Sequence, residues 1–203
     1  MPQAIAISPC KPGHSRLTAI TGGIGAGKSV VSDIIRAIGY SVYDCDSRAK
    51  ALMDADTDIH AALSRDIHPR CVVDGVIDRR LIADIVFADA KRLAVLNGIV
   101  HAAVRADLLA WRAVNQDERR LFVETAILTE SGLDGMVDDV WEVTAPEQLR
   151  IDRVMKRNSM SAEAVRARIA SQSPLPAGFH LPVHTICNDG VHPLLPRIEE
   201  LLA

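Results

Sequence analysis

The segment Gly22 to Ser29, GGIGAGKS, has the spacing G-x-x-x-x-G-K-[ST]. Leu17 to Ile20 (LTAI) precedes it as a short apolar run with the character of a buried strand. Val30 to Ile38 (VVSDIIRAI) follows it with apolar residues at helical spacing. A strand entering a glycine loop and a helix leaving it admit few folds. Residues without Cβ let successive N–H groups curl round an anion at the positive end of a helix. In such a loop Gly23, Ile24, Gly25, Ala26, Gly27, Lys28, Ser29 and Val30 line the phosphate site. Lys28 adds a point charge for the β- and γ-phosphates, and Ser29 offers a hydroxyl to Mg²⁺. The loop marks a chain that binds a nucleoside triphosphate; a plain glycine turn would not account for both flanks.

The 203 residues allow one good core with room for inserted subdomains. A net charge of −3 speaks against a nucleic-acid or membrane-surface partner, either of which favours basic patches. No uninterrupted apolar run approaches the roughly 18 residues that cross a bilayer. Residues 1–16 contain three prolines and lack the pattern of a secretory signal, so they read as a loosely ordered N-terminal extension. Cys10, Cys45, Cys71 and Cys187 form no C-x-x-C pair and no metal-spaced array, as expected of reduced thiols in a cytoplasmic protein.

Gly39 ends the first helix as a C′ residue, and Tyr40 to Tyr43 reads as a short strand running into Asp44-Cys45-Asp46. From Ser47 to Val114 the pattern is nearly all helix, with turns at His68-Pro69 and Asp74-Gly75. Lys91 to Trp111 has an apolar stripe (Leu93, Leu96, Val100, Val104, Leu108, Trp111) that Asn97-Gly98 could divide. Further strands are expected at Leu121 to Val123, Val140 to Val143 and Val183 to Cys187. A helix opened by Pro146 and another at Leu194 to Leu202 complete the pattern. Alternating strands and helices predict a parallel α/β sheet covered on both faces, with the ligand at the carboxyl ends of the strands.

Asp44 and Asp46 lie two apart beyond the second strand and share a face if the chain is still extended there. One of them could take a proton from a substrate hydroxyl or hold Mg²⁺; equally, they could cap the next helix. Glu124 stands at a strand end where a metal-facing carboxylate is common, and Glu130 follows six residues later. Arg150, Arg153, Lys156 and Arg157 lie on one predicted helix, with Arg153 and Arg157 on one face. Such a face is either solvated or turned to the charge that develops in phosphoryl transfer. His101, within an apolar helix, would by pattern alone be a core residue.

Together these segments resemble the dephospho-coenzyme A kinase family from about Leu17 to the C-terminus. TGGIGAGKS is similar to its phosphate loop, and YDCDSRAK to its D-x-D segment, which makes Asp46 the general base. DGVIDRRLIADIVFAD with LNGIVH resembles the substrate-domain pattern ending at His101. FVETAILTESGLD places Glu130 at the family glutamate, APEQLRIDRVMKR places Arg153 at the transferring phosphate, and ICNDG places Asn188 by the adenine. The resemblance implies a P-loop kinase with a five-stranded parallel core, a helical coenzyme A subdomain and a short helical lid. The core would span residues 17–50, 116–148 and 183–203, the subdomain 51–115 and the lid 149–182. It further implies ATP-dependent phosphorylation of the 3′-hydroxyl of dephospho-coenzyme A with Mg²⁺, the last step of coenzyme A biosynthesis, by a monomer or weak homo-oligomer. Asp46, Lys28 and Arg153 would carry the chemistry and Ser29 and Glu124 the metal, while Lys50, His101, Arg105 and Glu130 would hold the acceptor.

The chain departs from the pattern at Lys50 (often arginine), Ala102 (usually proline) and Glu124 (usually aspartate). It departs most at Ser173 to Pro182, which has no lysine or arginine where the lid's return is usually basic. Another small-molecule kinase, acting on a nucleotide-like acceptor, shares the loop and lid. A guanine-specific switch would carry N-K-x-D, and no lysine here follows an asparagine. A nucleotide-binding pseudoenzyme would fit the basic-poor lid.

Overall fold

The computed structural model describes residues 15–203. Most of the expected N-terminal extension, with Cys10, lies outside them; Ser15 is already buried. The nucleotide-loop half comprises β1 (Arg16–Thr21), α1 (Lys28–Ala37) and β2 (Val42–Asp44). A helical stretch follows: α2 (Cys45–Ala55), α3 (Thr57–Asp66), β3 (Val72–Val73), β4 (Val76–Ile77), α4 (Arg79–Ala88) and α5 (Ala90–Val114). The chain returns to the sheet with β5 (Arg120–Glu124) and β6 (Asp139–Thr144). It leaves through α6 (Glu147–Asn158) and α7 (Ala162–Ala170), then finishes with β7 (Val183–Cys187) and α8 (Leu194–Leu202).

Five strands form one parallel sheet in the order β2-β5-β1-β6-β7. Side chains alternate across it. Leu17, Ala19, Leu121, Val123 and Val140 face one way, under Val104 and Leu108 of α5. Ile20, Phe122, Trp141, Val143 and Ile186 face the other, onto Val31 and Ile35 of α1 and Ile198 of α8. Each fully buried Val, Leu, Ile or Phe among them contributes about 1.5–3 kcal/mol. This double burial is why the strands read as continuous apolar runs.

The helical stretch has a buried cluster of its own, with Ile59, Leu63, Cys71, Ile82 and Val86. Asn97-Gly98 does not divide α5, which runs unbroken for 25 residues. Its first half (Leu96, Ile99) packs on that cluster and its second half on the sheet, and this burial outweighs the roughly 1 kcal/mol cost of a helical glycine. By length and composition alone α5 could cross a membrane, which counting uninterrupted apolar runs did not reveal; here it is the spine joining two cores. Asp74-Gly75 is more than a turn. Both residues have positive φ, the geometry of a two-residue hairpin loop, and they join the antiparallel pair β3–β4. The second strand starts at Val42 rather than Tyr40. The Tyr40 N–H is still occupied by the Ile35 carbonyl in the helix-ending turn, where Gly39 takes φ 99°.

Candidate active site

The phosphate loop joins β1 to α1 at the carboxyl end of the sheet. Gly22, Gly25 and Gly27 take φ of 141°, 77° and 97°. A Cβ on Gly22 would collide with the Val143 carbonyl, one on Gly25 with the Arg150 backbone and one on Gly27 with the Asn188 amide. Lys28 opens α1 and its Nζ donates to the Gly22 carbonyl at 2.9 Å. Burial lowers the Lys28 ammonium from its ordinary value; Glu124 and Asp46 oppose that, while Arg157 and Arg150 add to it. The structure therefore gathers Lys28, Asp46 and Glu124 around the loop.

The two aspartates do not share a face. The chain turns helical at Cys45, so Asp44 ends β2 as the N-cap of α2. Its carboxylate accepts from the N–H groups of Asp46 and Ser47 at 3.0 and 3.1 Å and from the Ser47 hydroxyl at 2.7 Å. Asp46, in the first turn, is exposed and makes no side-chain hydrogen bond among the described residues. Cys45 between them is buried, and burial, with the two carboxylates beside it, pushes its thiol up to about 12. Arg48 anchors this helix through a two-pronged contact with Asp107 at 2.6 and 2.8 Å, and Asp107 also accepts from the Tyr43 hydroxyl at 2.6 Å.

Glu124 lies opposite Asp44 in the β2–β5 register. Burial raises its carboxyl above the ordinary range. The Ser32 hydroxyl and Lys28 pull the other way, the hydroxyl without reaching hydrogen-bond geometry. Burial and Arg105 lower His101 while Glu130 opposes them, so these three residues are neighbours. Arg105 is fixed by donating to the Ser131 carbonyl at 2.6 Å. Lys50, one turn beyond Asp46, is exposed and has no hydrogen-bond partner among the described residues.

Arg153 and Asn188 meet each other on the other side of the loop. Arg153 donates to the Asn188 carbonyl at 3.1 Å and to its side-chain oxygen at 3.2 Å, and the Asn188 amide donates to the Ala26 carbonyl at 2.9 Å. Arg157, expected on the same face, is exposed and bonds Asn158. Pro146 precedes α6 as its N-cap rather than opening it. Two residues that sequence reasoning did not assign to the site touch the loop. The Arg150 Nε donates to the Ile24 carbonyl at 2.9 Å, and the Ile24 N–H donates to the Gln172 side chain at 2.6 Å. Arg150 was within reach, since it lies three positions before Arg153 and the two share a helical face. Gln172 left no local signal. A cavity of about 310 Å³ lies between the loop, the strand ends and the α6–α7 stretch, lined in part by Gly22, Gly23, Glu130, Glu142, Arg150 and Gln172.

A family model described as dephospho-CoA kinase matches residues 16–192. The dephospho-CoA kinase of Porphyromonas gingivalis is 38% identical over 187 residues, covering 90% of this chain and 91% of that protein. A crystal structure from Thermus thermophilus superposes with a TM-score of 0.77 at 34% identity, covering 93% of this chain and 96% of that one. The structure of dephospho-CoA kinase from Campylobacter jejuni, at 24% identity, shares the fold with a TM-score of 0.66, covering 91% of this chain and 96% of that one. The chain belongs to the dephospho-CoA kinase family.

Proposed function

We propose that this chain transfers the γ-phosphoryl group of ATP to the 3′-hydroxyl of dephospho-coenzyme A, yielding coenzyme A and ADP, the last step of coenzyme A biosynthesis. The observation that carries the chemical reading is the division of labour between the aspartates. Asp44 is consumed as a cap, which leaves Asp46 uncommitted beside Lys28. Asp46 orients the 3′-hydroxyl and takes its proton as the oxygen attacks phosphorus and ADP departs. The N–H groups of Gly25 to Val30 cradle the β- and γ-phosphates, and the Lys28 ammonium exchanges the Gly22 carbonyl for their oxygens. Arg153, which reaches the Gly25, Ala26 and Asn188 carbonyls, closes over the loop to stabilise the transferring group, and Asn188 lies by the adenine. His101, whose imidazole burial keeps neutral at pH 7, holds the acceptor with Arg105, Lys50 and Glu130.

The donor set fits Mg²⁺. Ser29 and Glu124 offer hard oxygens, Glu124 is half-buried without an ion-pair partner among the described residues, and a cation would offset its burial. Among the described residues no group of three or more His, Cys, Asp or Glu could form a closed metal cage, which suits an ion that takes most ligands from phosphate and water. When bound it would neutralise phosphate charge. The reading carries with it a single P-loop kinase domain, in which 51–115 forms the acceptor subdomain and 149–182 the lid, and a reducing cytoplasmic setting. Cys45, Cys71 and Cys187, free thiols in the structure, support that setting.

The test is chromatography of ATP, Mg²⁺ and dephospho-coenzyme A incubated with the protein, which should yield coenzyme A and ADP. Asp46→Asn should fold and bind ATP while kcat falls by about 10²–10⁴; an unchanged kcat removes Asp46 from the role.

A further inference from the structure

A guanidinium is usually set against a carboxylate or left in water. Arg150 is in neither position. It lies half-buried in the first turn of α6, its Nε pinned to the Ile24 carbonyl. Its terminal nitrogens rest against Gly23, where any Cβ would displace them. Among the described residues those nitrogens donate no hydrogen bond and meet no carboxylate at ion-pair distance.

The pinning is firm because the lid holds Ile24 in three ways. Gln172 accepts its N–H, Arg150 donates to its carbonyl, and its side chain packs on Ile151, Val154 and Val165. Lid cations approach the loop from two sides. Arg153 sits with Asn188 beside Gly27, whereas Arg150 sits over Gly23, next to the Gly22 carbonyl that holds the Lys28 ammonium. The Gly23 side also borders the 310 Å³ cavity, with Glu130 and Glu142 among its walls. Arg150 and Arg157 both act unfavourably on Lys28, and a bound polyanion would relieve that repulsion. Residues 173–182 bring no lysine or arginine.

We propose that Arg150 is a further catalytic cation of the lid: its Nε fixes it to the phosphate loop and its terminal nitrogens offer a fork to the equatorial oxygens of the transferring phosphoryl group. This inference rests on the phosphoryl-transfer reading above. Charge spread over those oxygens is what a preorganised, unpaired guanidinium stabilises. Arg153 meets the other side of the same loop, through the Gly25, Ala26 and Asn188 carbonyls.

The test compares Arg150→Ala, Arg150→Gln and Arg150→Lys with the unmodified chain. Arg150→Ala and Arg150→Gln should each lower kcat by about 10²–10³, weaken ATP more than ADP in calorimetry, and lose tight binding of ADP with aluminium fluoride. Methylguanidinium should restore part of the turnover of Arg150→Ala, while Arg150→Lys, with no planar fork, should stay slow. A kcat within about threefold of the unmodified chain in both Ala and Gln variants overturns the proposal. So does an equal loss of ATP and ADP affinity, which would make Arg150 a loop clamp only. If Arg150→Ala does not fold, Arg150→Gln decides alone. Failure of the unmodified chain to convert dephospho-coenzyme A would refute the acceptor, and the ATP-over-ADP preference would still decide Arg150.

Discussion

The two ends of the sheet treat charge in opposite ways. At the amino end Asp139 is fully buried and surrounded by partners. Its Oδ1 accepts from the Thr18 hydroxyl at 2.7 Å and from Arg16 Nε at 3.1 Å, while its Oδ2, which accepts no hydrogen bond, is held by ion pairs with Arg16 at 3.1 Å and Arg120 at 3.6 Å. At the carboxyl end Asp46, Glu124, Lys28, Arg150 and Lys50 have no ion-pair partner within the described chain. Charges that satisfy one another hold a fold together, and charges left over are available to a substrate. The same strands carry both, so the sheet separates stability from chemistry by its length alone.

Breaking the satisfied end should have the largest effect. Asp139→Ala leaves Arg16 and Arg120 facing each other and should cost about 3–5 kcal/mol, on the order of 10 °C in Tm. Thermal unfolding measures this, and kcat per folded molecule should be nearly unchanged; a variant as stable as the parent would make the network decorative. The unsatisfied end should respond with the opposite sign. The Glu124 carboxyl is raised in the folded state, so it favours folding at pH below the ordinary glutamate range and costs stability as pH rises through its folded value. Glu124→Gln should therefore raise Tm by about 1–4 °C at pH 7.5, with the gain shrinking towards pH 4, while phosphoryl transfer falls steeply. A variant destabilised at pH 7.5 would contradict this. The smallest effect belongs between the extremes. Asp107→Asn weakens the half-exposed tether of α2 and should cost about 1 kcal/mol or less, appearing mainly as a higher KM for the acceptor.

Reading the chain alone located the loop, all five sheet strands and the two-faced burial, because each rests on local periodicity or on glycines whose φ the structure confirms. What it missed depends on partners distant in sequence. The continuity of α5 through Asn97-Gly98 is decided by two cores it bridges, neither visible in its own residues. The separate fates of Asp44 and Asp46 turn on where helix replaces strand, a boundary of one residue. Arg150 and Gln172 meet at Ile24 from more than a hundred residues away, and spacing along the chain carries no trace of that. The fold was thus more legible than the site's cover, which is made by side chains rather than by backbone pattern.

The buried Cys45, lodged between the capping and the uncommitted aspartate, has a consequence for chemical durability. With its thiol pushed up to about 12 by burial and the neighbouring carboxylates, little thiolate forms there near neutral pH. Peroxides and alkylating agents attack thiolates, so they should spare the junction of β2 and α2 and react first at the exposed Cys187 among the described residues. Oxidative damage would then reach this protein beside Asn188, leaving the junction that carries Asp44 and Asp46 intact.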